Sequence, residues 1–186
     1  MKTISLFLLS AAFAAAQIAS LPFTVPQASI AAYGGRHVGG SLSYAYNPQL
    51  RLFGRGLGSA WDAGAEYRLA QFKSENGSVS RFLDLGVTAL YGSDGVKGAA
   101  EAGYLFGESA DCYFWAKGAA GNYWEASGGA QIGHWGLSAG VGNYWDNRID
   151  LAYSIDRLHK YAVTAGYSSV LGANIGLAVH LPVKLK

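Results

Sequence analysis

Along residues 60–72, Trp61, Ala63, Ala65, Tyr67 and Leu69 alternate with Asp62, Gly64, Glu66 and Arg68. The same period of two sets Val96, Gly98, Ala100, Ala102, Tyr104 and Phe106 against Lys97, Ala99, Glu101, Gly103 and Leu105. Ile149, Leu151, Tyr153 and Ile155 oppose Arg148, Asp150, Ala152 and Ser154. Near the end, Ala173, Ile175, Leu177, Val179 and Leu181 oppose Asn174, Gly176, Ala178 and His180. Successive side chains of a strand point to opposite faces, so each set becomes one face of a sheet. The pattern predicts strands near 28–33, 37–46, 49–57, 60–72, 80–91, 96–106, 112–120, 123–132, 134–145, 148–155, 161–169 and 173–183. The segment 28–33 carries the weakest signal. Turn-forming clusters separate the segments: Gly34-Gly35, Asn47-Pro48, Asn76-Gly77, Ser93-Asp94-Gly95, Gly121-Asn122 and Asp146-Asn147. No linker or shift in composition interrupts residues 28–186, which read as one domain. Residues 17–27, with Pro22 and Pro26, read as an extended arm.

Alternation does not by itself choose the solvent, because a soluble sandwich shows the same period with its apolar face inward. Two features point the other way. The polar face is built mainly of Gly, Ala and Ser, with isolated charges between them. Those are Arg51, Arg55, Arg68, Lys97, Lys117 and Arg148 against Asp62, Glu66, Asp84, Glu101, Glu125 and Asp150. Opposite charges in equal number nearly cancel inside a closed lumen, and small residues suit a concave wall. On the apolar face, aromatics gather near strand ends. Trp61, Tyr91, Trp124, Trp145 and Tyr167 fall towards one rim, and Tyr46, Tyr104, Phe106, Trp135, Tyr153 and Tyr161 towards the other. Two such girdles around an apolar band mark a transmembrane barrel, since Trp and Tyr favour the headgroup level.

The expectation is therefore all-β: a closed antiparallel up-and-down transmembrane barrel of about 10–12 strands. Closure satisfies every backbone N–H and C=O without an edge, as lipid requires. A barrel of this size has a wider lumen than the eight-stranded kind that side chains fill, so a narrow water-filled passage fits. The same parity turns Tyr113, Trp115 and Tyr123 inward, where they would obstruct it.

Composition narrows the alternatives. Charged residues are 14% and aromatics 13%, which excludes a disordered chain. Glycine is abundant, 26 of 186 residues, but without the three-residue period of collagen. A formal net charge of +2 gives no strong field for nucleic acid. Residues 1–16, MKTISLFLLSAAFAAA, combine Lys2, an apolar block and an Ala14-Ala15-Ala16 cleavage site, and read as a secretory signal peptide. Cys112, the one cysteine, has no partner for an internal disulfide and reads as a small apolar strand residue.

Leader, short amphipathic strands and girdles together resemble the outer-membrane β-barrel proteins of diderm bacteria, from about Ala28 to Leu185. The resemblance is architectural. It implies outer-membrane location, lipid as the surrounding partner, and a structural envelope role or a pore for small solutes. The chain departs from that pattern in ending Val183-Lys184-Leu185-Lys186 without an aromatic residue. Its connections are also short, and the longer ones (73–79, 107–111, 156–160) fall on the side of the termini.

Candidate chemistry is sparse. Gly136-Leu137-Ser138-Ala139-Gly140 matches G-x-S-x-G, but an elbow needs a helix next, and Val141 to Trp145 continue as strand. A wall esterase using Ser138 needs a histidine in contact, and His134 lies four residues away, about 13 Å along a strand. His180 would have to be brought there by the fold. His37, His134, His159 and His180 have no metal-ligand spacing, and Gly54-Arg55-Gly56-Leu57-Gly58 lacks the helix a phosphate loop needs. No catalytic residue, metal or cofactor is expected. A secreted soluble β-protein binding a small ligand, and an outer-membrane lipid hydrolase, remain the alternatives.

Overall fold

The computed structural model describes residues 27–47, 49–73, 80–109, 112–143, 146–156 and 160–182. The expected leader, residues 17–26 of the arm, Asn76-Gly77, Trp145 and His159 lie outside these residues. Twelve strands follow one another: β1 (Gln27–Gly34), β2 (Val38–Ala45), β3 (Leu50–Leu57), β4 (Ala60–Lys73), β5 (Ser80–Gly92), β6 (Gly95–Ser109), β7 (Cys112–Gly121), β8 (Trp124–Ile132), β9 (Trp135–Gly142), β10 (Arg148–Ser154), β11 (Tyr161–Ser168) and β12 (Gly172–Pro182). Each pairs antiparallel with the next, and β12 returns to β1, closing the barrel. The segment with the weakest sequence signal is thus β1, and it joins both ends of the sheet: Ile30 faces Leu42 on one side and Val179 on the other.

Since the strand number is even, β1 begins and β12 finishes at the same end, called here the terminal end. At the opposite, turn end the connections are tight. Ser93-Asp94 joins β5 to β6, and Gly95 takes φ +93°, a left-handed backbone that a side chain would strain. Gly58 does the same between β3 and β4 with φ +60°. Asp146 Oδ1 accepts hydrogen bonds from Ser168 Oγ (2.7 Å), Ser169 Oγ (2.9 Å) and the Val170 N–H (3.1 Å), pinning the β9–β10 connection to the β11–β12 turn. Strands β4, β5 and β6 are the longest, at 14, 13 and 15 residues. Register shifts at Arg68/Ala70 and Gly107/Ser109 interrupt their otherwise regular pairing.

The two faces divide as a period of two requires. Leu52, Val87, Val96, Leu137, Leu151, Ile175 and Leu177 point outward and are exposed, Val96 by 71% and Ile175 by 67%. Among the described residues no helix and no second layer covers them. Their neighbours Ser41, Arg51, Glu66, Thr88, Ser138 and Thr164 are buried inside the barrel. A soluble barrel or sandwich has the opposite distribution, with its aliphatic face packed inward.

Inside, three apolar clusters line the lumen. Tyr33, Leu57 and Leu171 pack with Ala31, Ala162 and Ala178 at the β1/β12 side. Leu90 and Tyr123 pack with Ala99 and Ala119 near the turn end. Phe82, Leu105 and Tyr113 pack with Trp115 towards the terminal end. Tyr113, Trp115 and Tyr123 therefore lie inside, as their parity requires. The inner wall is less uniformly small than its Gly, Ala and Ser content suggests, because large apolar groups occupy inward positions near the strand ends.

Candidate functional site

Between those clusters the lumen is charged. Hairpin register places Arg51 opposite Glu66 and Arg55 opposite Asp62 across β3 and β4. Each pair is joined by an ion pair, with Arg55 Nη2 2.5 Å from Asp62 Oδ2. Register likewise sets Arg68 of β4 against Asp84 of β5, 3.0 Å apart, and the Arg68 guanidinium stacks 4.1 Å from the Phe82 ring centre.

Further contacts join strands beyond the β3–β4 hairpin, and two of them, Lys117 with Glu66 and Arg55 with Glu125, cross the lumen. Lys117 Nζ on β7 reaches Glu66 Oε1 on β4 (2.7 Å) and Glu101 Oε2 on β6 (2.9 Å). Arg55 Nη2 on β3 also reaches Glu125 Oε2 on β8 (3.0 Å), and Arg148 Nη2 on β10 approaches Glu125 Oε1 at 3.6 Å. In the order of the closed sheet, β3 and β8 are nearly opposite. The central charges thus form two alternating chains, Arg51–Glu66–Lys117–Glu101 and Asp62–Arg55–Glu125–Arg148. Each holds two cations and two anions, and each braces one wall against another.

Burial explains why the charges are paired. Arg51, Asp62, Glu66 and Glu101 are all at most 8% exposed. An ionised side chain removed from water is costly unless an opposite charge and hydrogen bonds offset the loss. The wall opposite the braces, on β1, β2, β11 and β12, presents Ser29, Ser41, Ser43, Thr164 and Asn174. Small residues there leave room for the long side chains that reach across.

The braces divide the interior. On one side of the Arg51–Glu66–Lys117 bar lies a chamber with a cavity volume of about 40 Å³, walled by Ser43, Phe53, Asp62, Glu125, Ser127 and Arg148 among others. On the other lies a smaller space of about 20 Å³, walled by Asp84, Leu105 and Trp115. Arg51 and Lys117 border both. The Phe53 ring lies under the Lys117 ammonium at 4.5 Å. Four of the charges singled out from sequence lie away from the braces: Arg68 and Asp84, which pair with each other, and Lys97 and Asp150. Lys97 reaches Asp94 in the β5–β6 turn at 3.8 Å, and Asp150 is buried on β10 beside Ser138 of β9 in register.

On the outside, Trp61, Tyr91, Trp124 and Tyr167 stand on strands next to the turn end, where Trp61 stacks on Tyr91 at 5.4 Å. Tyr46, Tyr104, Phe106, Trp135, Tyr153 and Tyr161 stand towards the terminal end. There Trp135 meets Tyr153 edge-on at 4.8 Å and the Arg81 guanidinium lies 5.5 Å from the Phe106 ring.

The G-x-S-x-G match lies in the middle of β9, with Ser138 facing the lumen and pairing continuing through Gly142. It makes no strand-to-helix elbow. His134 sits in the β8–β9 turn, where its Nδ1–H donates to the Ser154 carbonyl at 2.6 Å. His180 does not meet Ser138. It lies 2.9 Å from Ser29 Oγ through Nδ1, a buried contact between β12 and β1. Sequence reading missed this pair, because only closure of the sheet brings its strands together. Among the described residues no cluster of His, Cys, Asp and Glu is arranged to hold a metal ion.

An apolar outside and a cross-braced, charged inside define a closed antiparallel barrel of twelve strands. The chain is similar in structure to a KdgM porin, with a TM-score of 0.55 and 12% sequence identity, over 85% of this chain and 99% of that one. At that identity the likeness is one of fold. No family model matches the sequence, and no curated protein matches it.

Proposed function

We propose that this chain is an integral outer-membrane protein of a diderm bacterium, exported by a cleaved leader, and that it forms a narrow water-filled passage for small solutes. One observation carries the reading: a closed sheet with bare aliphatic side chains outside and paired charges around a chamber inside. Lipid accounts for the first property, since exposed Leu, Ile and Val in such number would drive association in water. Water in the chamber accounts for the second. The similar barrel of the same architecture is a porin by name. The aromatic residues at the two ends serve as the headgroup girdles. The passage is narrow because the braces and the Phe82–Leu105–Tyr113 cluster occupy much of the bore. The reading contains no catalytic step.

Liposome swelling tests it. Vesicles holding the refolded protein should swell in small sugars or amino acids faster than protein-free vesicles, and should not swell faster in large oligosaccharides. Equal rates with and without protein would sink the pore. The three apolar clusters inside the lumen favour a second reading, a closed barrel that stiffens the envelope. That reading expects membrane insertion without swelling.

A further inference from the structure

We infer that the passage selects uncharged small solutes rich in hydroxyl or amide groups, and that it is nearly indifferent to the sign of an ion. The inference rests on the pore reading and specifies its solute. Pores choose between cations and anions through rings of one charge at their narrowest point. Here the lumen is spanned by two chains that are each neutral, Arg51–Glu66–Lys117–Glu101 and Asp62–Arg55–Glu125–Arg148. Outside them, Arg68 is matched by Asp84 and Lys97 by Asp94. The braces and these two pairs therefore hold no excess charge to enrich either kind of ion, and the buried Asp150 of β10 lies apart from them.

Pairing also deprives an entering ion of substitutes for its hydration shell. Arg55 and Lys117 each already contact two carboxylates. An ion passing the braces must displace one of these contacts or shed water without replacement, and both are costly. An uncharged polar solute loses far less. The chamber wall has hydrogen-bonding capacity for it: Ser43 Oγ and Asp62 Oδ1 are buried there, with no hydrogen-bond partner among the described residues. Buried polar atoms of this kind are satisfied by water or by a solute that mimics it. The Phe53 ring supplies an apolar patch on the same wall.

The experiment pairs a planar-bilayer measurement in a potassium chloride gradient with swelling in two size-matched solutes, one a neutral polyol and one a sugar acid salt. Wild type should show a potassium-to-chloride permeability ratio within about twofold of one, and faster swelling in the polyol. Glu125→Gln leaves one cation in excess and should move the ratio several-fold towards chloride. Arg55→Gln should move it towards potassium. A wild-type ratio beyond about tenfold in either direction overturns the inference while leaving the pore intact. Faster swelling in the acid salt, or one unchanged ratio across the folded variants, overturns it too. Wild type that passes neither ions nor polyol removes the pore reading and the inference together.

Discussion

Glu66 meets a guanidinium and an ammonium at once, on β3 and on β7, and is 6% exposed. Removing its charge leaves Arg51 and Lys117 facing each other across the lumen with one fewer counterion. Breaking a buried ion pair from one side costs far more than the pair contributes, because the partner stays desolvated. Glu66→Gln is expected to lower stability by about 3 kcal/mol in urea unfolding of the vesicle-inserted protein. Lys97→Ala should cost less than about 1 kcal/mol, since its partner Asp94 is largely in water. Equal losses for the two would show that the lumen screens charge as bulk water does. Part of this network is legible in the sequence. Counting outward from the Leu57–Ala60 pair around the short Gly58-Ser59 turn places Arg55 opposite Asp62 and Arg51 opposite Glu66. The longer contacts, Arg55 with Glu125 and Lys117 with Glu66, were not legible. They depend on the curvature of the whole sheet, and no local spacing encodes it.

Strands carry their own statement of solvent. Val87 lies near the middle of β5, flanked by Ala65 of β4 and Ala100 of β6, and is 64% exposed. If that surface faces acyl chains, Val87→Arg places a charge near the bilayer midplane, with an expected cost of about 2–4 kcal/mol. In water the same change at an exposed strand position is nearly neutral. The check is the urea midpoint of the variant in lipid vesicles. A loss below about 0.5 kcal/mol would place this face in water. Element boundaries follow the same division between local and global causes. The alternation locates β4, β6, β10 and β12 because polar and apolar residues trade places at nearly every step. It runs short at β1, where Ala28, Ala31 and Ala32 blur the contrast. It also cannot show the bulge after Arg68, where the outward set Trp61, Ala63, Ala65, Tyr67 and Leu69 gives way to a shifted register.

For the whole molecule, everything depends on closing the sheet, and closure depends on that least distinctive strand. β1 is paired along its length on both sides, so its backbone groups are shared between β2 and β12. An open sheet would expose two rows of N–H and C=O groups, which lipid cannot satisfy. Closure is also what brings His180 to Ser29, seats Tyr33 against Leu57 and Leu171, and sets β3 opposite β8 so that Arg55 can reach Glu125. Ile30→Pro tests this directly. The ring removes the Ile30 N–H from a strand with a neighbour on each side, and leaves a carbonyl without its donor. Ile30→Val keeps both groups and the outward apolar side chain. The expected result is that Ile30→Val migrates as a compact, heat-modifiable form on semi-native gels and resists protease. Ile30→Pro should migrate as unfolded chain and be digested. Native migration of the proline variant, with melting within a few degrees of wild type, would mean that β1 only lies against a barrel already closed by β2 and β12. The lumen would then be framed by eleven strands, and the opposition of β3 and β8 that the braces require would have to arise without β1.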